Sequence, residues 1–153
     1  MIEHLTIWIV TGAFLILMTI LDLKHKKMLS AIPSAAIFFL VCVNLIINPD
    51  LIWYGVAAFV FAWLLYDIDY IRGVADIKII VLIGLLIRSP IQFFFFMIVL
   101  TFVWLAYQFV AIKLIHGNNI KKISDFFTIK EEIAFVPALT ITYLILFVVS
   151  YIR

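Results

Sequence analysis

The sequence predicts an all-α integral membrane protein, a bundle of six transmembrane helices. Of its 153 residues, 67% are apolar and 13% are charged, and the mean hydropathy is +1.27. A soluble domain is about 45 to 50% apolar and about 25% charged. Apolar runs near the roughly 20 residues that cross a bilayer as a helix recur along the chain. The alternation that a membrane β-barrel needs is missing, for example at the phenylalanines of residues 93–96.

The predicted spans fill most of the chain and form one transmembrane domain, residues 1–153. The fourth span has only a short charge-free run, residues 79–87, and we expect it to gain length by accepting Asp76 and Lys78 in its first turn. Helices are expected throughout because unpaired backbone groups are costly in lipid. The approximate spans are 4–21, 30–48, 51–67, 74–89, 91–114 and 133–152.

The basic residues predict the orientation of the bundle. Loops after the first, third and fifth spans share one side of the membrane, and only Arg88 and Arg153 belong to the other side. The positive-inside rule therefore places the first group in the cytoplasm and both termini outside, in a multi-pass protein of the cell membrane. The residues of the cytoplasmic group are Lys24, Lys26, Lys27, Arg72, Lys78, Lys113, Lys121, Lys122 and Lys130.

Composition also excludes several classes of function. A net charge of +2 is too small for the broad basic surface of a nucleic-acid binder. The single cysteine, Cys42, excludes a disulfide framework and a Cys-rich zinc module. His4, His25 and His116 are isolated along the chain, so the sequence predicts neither a metal site nor a cofactor.

Acidic residues near membrane depth are the candidates for chemistry. Asp22 ends the first predicted span and Asp76 opens the fourth, so both are expected at one depth on the cytoplasmic side. Two adjacent carboxylates can share a proton, since both cannot ionise at close range. One then acts as a base toward water and the other donates to a carbonyl oxygen, as in aspartic proteases. The other acids outside the third loop are expected to be solvated: Glu3, Asp50, Asp125, Glu131 and Glu132.

The segments around these two aspartates resemble the type IV prepilin peptidases, membrane aspartic peptidases that remove the leader of pilin and archaeal flagellin precursors. Residues 22–24 match the D-L-K/R segment that ends the family's first span, although Met28 and Leu29 stand where the family has Ile-Pro. Residues 73–78 match the GxGDxK motif, with Ala75 in place of the second glycine. A weaker match to the I-P-F-x-P-F stretch of the last span covers residues 133–138.

This resemblance implies an aspartic endopeptidase whose catalytic residues are Asp22 and Asp76. Gly73 and Ala75 would leave room beside the carboxylates. Lys24 and Lys78 either extend their ammonium groups to the interface or help to set the field of the site and contact the substrate. The implied partners are a prepilin-like precursor and the lipid bilayer, and the implied cut is at the cytoplasmic face. The bacterial members' CxxC insert is missing, so no methyltransferase activity is expected.

Alternatives remain open at this point. Residues 66–67, followed by residues 73–76, weakly resemble the YD and GxGD pair of presenilin-like proteases, but in those proteins the two aspartates belong to consecutive long spans. We expect Asp67 and Asp69 to cap or solvate the third loop or to contact a basic leader. A small transporter or channel subunit could use Asp22 and Asp76 to handle protons or cations. That function predicts polar groups spread through the bilayer, whereas those in the spans are neutral and sparse. An inactive scaffold is the third possibility.

Overall fold

A computed structural model describes residues 2–25, 31–68, 70–71, 73–116 and 134–151, and every regular element in those ranges is helical. The all-α prediction is confirmed for this part of the chain. Five helices agree with their predicted spans to within about one turn, and a 3-10 turn, Pro49–Leu51, precedes the third. The helices are α1 Ile2–His25, α2 Ala31–Ile47, α3 Ile52–Asp67, α4 Val74–Gly84, α5 Pro90–His116 and α6 Val136–Tyr151.

Among the described residues, three stretches are long and apolar enough to cross a membrane, which indicates a membrane protein. They are Leu5–Lys24, Pro49–Asp67 and Pro90–Leu114. Helices α2 and α6 are also apolar but have 17 and 16 residues. Large apolar side chains such as Trp53 on α3 and Phe102 on α5 are exposed. Exposed apolar surface on this scale is typical of a chain that is covered by lipid.

Helix α4 is shorter than the predicted span 74–89. It ends at Gly84 after 11 residues, about 16 Å of helix, whereas the hydrocarbon core is about 30 Å thick. The next three residues, Leu85 to Ile87, are not helical yet are almost fully buried. Their N–H groups bond to carbonyls one turn back, and Asn44 Nδ2 of α2 donates to Leu85 O at 2.9 Å. Non-helical backbone is tolerated here because protein, not lipid, surrounds it.

Small residues let α4 pack closely against α3. A Cβ atom on Gly84 would lie 2.4 Å from Ala58 Cβ and 3.0 Å from Tyr54 O. A Cβ atom on Gly55 would lie 2.5 Å from Leu85 Cδ2. Small side chains at a helix contact allow the two backbones to approach, which is a common way of joining helices in lipid.

Hydrogen bonds join α1 to α6. The hydroxyls of Thr19 and Thr140 are 2.7 Å apart, and Thr140 Oγ1 also donates to Leu15 O at 3.3 Å. Further along, Tyr143 OH donates to Trp8 O, and the two rings stack with their centroids 5.1 Å apart. The bonds fix the register of the two helices and therefore decide which residue of α6 faces the end of α1.

Helices α4 and α6 connect the rest of the bundle. Besides α3, α4 contacts α2 and α6, and α6 contacts both α1 and α5. The last turn of α1, the first turn of α6 and the first turn of α4 therefore meet at one end of the molecule. This end holds both aspartates that the sequence singled out.

Candidate active site

Asp22 belongs to the last turn of α1, which continues to His25 rather than ending at the predicted residue 21. Its side chain is buried, with 8% of its surface exposed. Oδ2 accepts a hydrogen bond of 3.3 Å from the backbone N–H of Val136, the first residue of α6. The first N–H groups of a helix have no partner within that helix, and a carboxylate is favourable there. Asp22 thus caps a helix that lies far away in the sequence.

Asp76 is the third residue of α4, after Gly73 at the N-cap position. Its carboxylate turns back and accepts a hydrogen bond from the Gly73 N–H, which is one half of a capping box. Gly73 has an ordinary φ of −104°, so backbone conformation does not require glycine there. Glycine is required there because the space is limited: a Cβ atom would lie 2.5 Å from Asp76 Oδ2. A side chain at position 73 would displace the carboxylate.

The two carboxyl groups are close enough for the charge of Asp22 to act on Asp76. The helices that carry them are joined through α6, which bonds to Asp22 and packs against α4. Each carboxylate is oriented by a backbone N–H at the start of a helix. Two acids oriented in this way at one end of the bundle are candidates for a pair that shares a proton, as the sequence predicts.

Aromatic residues border the site on the side of α5 and α6. Tyr107 is close enough to Asp22 to interact with it electrostatically. Trp104 stacks on Tyr107 with centroids 6.0 Å apart, and meets the edge of Phe135 at 4.5 Å. The Trp104 indole N–H is buried and has no hydrogen-bond partner among the described residues. An unpaired buried donor costs about 1 to 3 kcal/mol. This aromatic cluster therefore still has one hydrogen bond to donate, from the Trp104 indole.

Tyr70 completes this aromatic wall from the loop between α3 and α4. Its ring meets Trp104 edge-on with centroids 6.4 Å apart, and its hydroxyl donates to Thr101 O at 3.3 Å. Burial raises the pKa of the Tyr70 hydroxyl, which keeps it protonated as a donor. The loop that leads into α4 is therefore attached to α5 just before Gly73.

The remaining predicted residues lie at different distances from the carboxylates. Ala75 is half-buried in the first turn of α4, beside Asp76. Lys24 is exposed, which agrees with an ammonium at the membrane interface. Lys78 is directed at α2 instead, where its Nζ donates to Ser34 Oγ at 2.7 Å. Lys78 therefore ties α4 to α2.

Asp67 is exposed at the end of α3 and is not part of the pair. Several predictions fall outside the described residues. These are Asp69, Arg72, the basic residues after His25, the Met28 and Leu29 departure, and the polar residues at 117–133, with the acids Asp125, Glu131 and Glu132.

Sequence reasoning missed the backbone N–H of Val136 and the side chains of Trp104 and Tyr107. A signal existed for the first, because the weak match at residues 133–138 singled out the segment that meets Asp22. No signal pointed to the two aromatic residues of α5, since they resemble the other aromatic residues of an apolar helix. Among the described residues, no three His, Cys, Asp or Glu side chains group together as a metal site would require.

Comparison with known proteins yields no family for the chain: no family model, no curated protein and no solved structure matches it. The functional argument therefore depends on the residues and their geometry. Its central element is the pair of carboxylates, which two separate helices bring to one end of the bundle.

Proposed function

We propose that this chain is a membrane aspartic endopeptidase that removes the basic leader from prepilin-like precursors, either pilins or archaeal flagellins. The observation that carries the proposal is the position of Asp22 and Asp76, which helices far apart in the sequence bring to one end of the bundle. The motifs around the two residues supply the substrate class, since they resemble those of prepilin peptidases. Neither a cofactor nor a metal takes part in this proposal.

The proposed orientation brings the site to the substrate. With the basic loops in the cytoplasm, the end of α1 and the start of α4 lie at the cytoplasmic face of the cell membrane, and both termini lie outside. A precursor with a basic leader and a membrane-embedded helix presents its junction at that depth. The exposed Lys24 would lie at the same interface, available to an acidic residue of the substrate.

In the proposed mechanism, one carboxyl group acts as a base and the other acts as an acid. One carboxylate takes a proton from the bound water, whose oxygen attacks the scissile carbonyl carbon, while the other carboxyl donates its proton to the carbonyl oxygen. The resulting gem-diol then collapses: one of its hydroxyls gives its proton to the ionised carboxylate, the C–N bond breaks, and the departing amine takes the proton of the other carboxyl. The N–H groups of Gly73 and Val136 keep the carboxylates in place throughout.

The test is leader cleavage of a co-expressed prepilin-type precursor in isolated membranes. We expect Asp22→Asn and Asp76→Asn each to lower the cleavage rate by about a thousandfold or more, the loss typical of removing one catalytic group. Asparagine keeps an oxygen that can accept the Val136 or Gly73 N–H, so the fold is expected to persist. Asp67→Asn is the matched control and should cleave normally, since Asp67 is exposed at the end of α3.

Two outcomes would count against the proposal. Normal cleavage by either of the first two variants would remove that aspartate from the mechanism. Failure of the unaltered chain to cleave precursors of several classes would favour the transporter or channel subunit, for which proton or cation flux into vesicles that depends on Asp22 and Asp76 is the corresponding measurement.

A further inference from the structure

A cavity of about 380 Å³ lies between the start of α5 and the end of α6. It is remote from the aspartates, because Ser150 follows Val136 by nearly the full length of α6, about 20 Å of helix. Its lining divides into polar residues at one end and apolar residues along the groove. The residues used below are Ser89, Gln92 and Ser150, and Phe95, Leu146 and Val149.

At the polar end, the side-chain oxygens already accept hydrogen bonds, and the serine hydroxyls can also donate them. Gln92 N donates to Ser89 Oγ at 3.2 Å, and Gln92 Nε2 donates to Ser150 Oγ at 3.0 Å. The amide oxygen of Gln92 is itself occupied by the backbone N–H of Arg88 at 3.0 Å. Each serine oxygen already accepts a bond, so each hydroxyl hydrogen is available to donate. A ligand with several acceptor oxygens fits this arrangement.

Arg88 supplies positive charge at the same end. Arg88 directly precedes Ser89, and its backbone N–H bonds to Gln92, so it adjoins the cavity lining. Its side chain is exposed. Among the described residues, no carboxylate forms an ion pair with it. An arginine at a membrane interface without an acidic partner favours phosphate, whose oxygens match the guanidinium fork.

The groove leading from the polar end is apolar. Phe95 of α5 faces Leu146 and Val149 of α6 across it, and Ile91 at its edge is 79% exposed. A free phosphate ion would leave this surface empty, whereas a hydrocarbon chain would cover it. One molecule that satisfies both ends has a phosphate group joined to an acyl chain.

We propose that this cavity binds an anionic phospholipid of the outer leaflet, with its phosphate on Arg88, Ser89 and Ser150 and an acyl chain in the groove between α5 and α6. The charge complementarity selects an anionic head group, because the choline ammonium of a zwitterionic lipid would add a second cation beside Arg88. The bound lipid would link the two helix ends that Gln92 and Ser150 already join. This site is independent of the peptidase proposal.

The test is native mass spectrometry of the full chain released from micelles that contain either phosphatidylglycerol or phosphatidylcholine. We expect the unaltered chain to retain one phosphatidylglycerol at least about fivefold more tightly than phosphatidylcholine, because both lipids offer a phosphate but only phosphatidylcholine brings a second cation near Arg88. Arg88→Gln should reduce that preference to within about twofold. Lys113→Gln, the same charge change at an exposed position near the other end of α5, should leave the preference intact.

A second variant keeps the test decisive if Arg88→Gln lowers helix content. Ser150→Ala removes one hydroxyl, with its bond from Gln92, and retains the charge of Arg88, and we expect it to weaken phosphatidylglycerol retention about threefold. Equal retention of both lipids by the unaltered chain would overturn the proposal. So would equal effects of Arg88→Gln and Lys113→Gln, because the preference would then reflect net charge rather than this cavity.

Discussion

The α3–α4 contact and the α1–α6 contact are the two most extensive in the bundle, and they are held together differently. Between α3 and α4 the backbones approach through Gly55, Ala58 and Gly84, with space as the limiting factor. Between α1 and α6 the side chains of Thr19, Thr140 and Tyr143 form hydrogen bonds. Lipid is as apolar as the helix surfaces, so the hydrophobic effect does not drive the helices together as it does in soluble proteins. Packing and hydrogen bonds must stabilise the contacts instead.

This difference matters because each contact positions one aspartate. Asp76 belongs to α4, whose placement depends on the close approach to α3. Asp22 belongs to α1 and bonds to the start of α6, whose register depends on hydrogen bonds. We therefore expect changes at the close contact to cost more stability, and changes at the hydrogen-bonded contact to act mainly on register.

The largest effect is expected for Gly84→Val. The added Cβ would overlap Ala58 Cβ at 2.4 Å and approach a backbone oxygen, Tyr54 O, at 3.0 Å. Neither neighbour can rotate away, so α3 and α4 must separate, and we expect a loss of about 3 kcal/mol in unfolding free energy. Denaturation in mixed micelles, followed by circular dichroism, measures it.

Gly12→Ala is compared with Gly84→Ala, because both add the same methyl group and Gly12 lies at the α1–α6 contact. There a Cβ atom would lie 3.2 Å from Cε1 of Tyr143, a ring that can shift slightly, so we expect a loss of at most about 1 kcal/mol. Equal losses at the two glycines would show that the contacts do not differ as argued.

Hydropathy predicted the extent of five helices because the length of an apolar run directly limits how far a helix extends. It was wrong about the end of α4, where Leu85 to Ile87 are apolar yet not helical. Apolar composition does not distinguish a residue that faces lipid from one enclosed by protein. The bond that permits this ending joins Asn44 of α2 to Leu85 O, just beyond the end of α4, and no local pattern shows it.

The candidate site likewise contains residues that the sequence pointed out and residues that it did not. Asp22 and Asp76 could be picked out because a charge beside an apolar run is conspicuous in the sequence. The partner of Asp22 is a backbone N–H, which every residue except proline has, so nothing in the identity of Val136 marks it. Trp104 and Tyr107 lie near Asp22 because α5 packs against α6, and the sequence alone does not show that packing.

A second variant, Gly73→Ala, tests the geometry of the site with little effect on the stability of the fold. The methyl group would lie 2.5 Å from Asp76 Oδ2, and the carboxylate can rotate away, so the fold should lose little stability. The rotated carboxylate no longer meets Asp22 in the same geometry, and we expect precursor cleavage to fall about tenfold or more. Ala75→Gly is the control, because it removes a methyl group from the same turn without crowding the carboxylate. A fall in cleavage of the same size for both variants would contradict the argument from space.

The smallest effect is expected for Thr140→Val, which tests the hydrogen-bonded contact. Valine has nearly the shape of threonine but loses the bonds to Thr19 and to Leu15 O. Hydrogen bonds between membrane helices contribute about 0.6 kcal/mol each on average, so the loss should be about 1 kcal/mol. The same unfolding measurement determines it.

Thr142→Val is a close control for Thr140→Val. Thr142 is buried in the same helix, but among the described residues its hydroxyl bonds only to Ala138 O within α6. Because it does not reach α1, removing it should leave the register of the two helices unchanged. We expect Thr140→Val to lower cleavage about threefold by loosening the Val136 N–H from Asp22, and Thr142→Val to cleave normally. If the two variants behave alike, the register of α6 is set by packing alone, and the hydrogen bonds to α1 play no part in positioning Asp22.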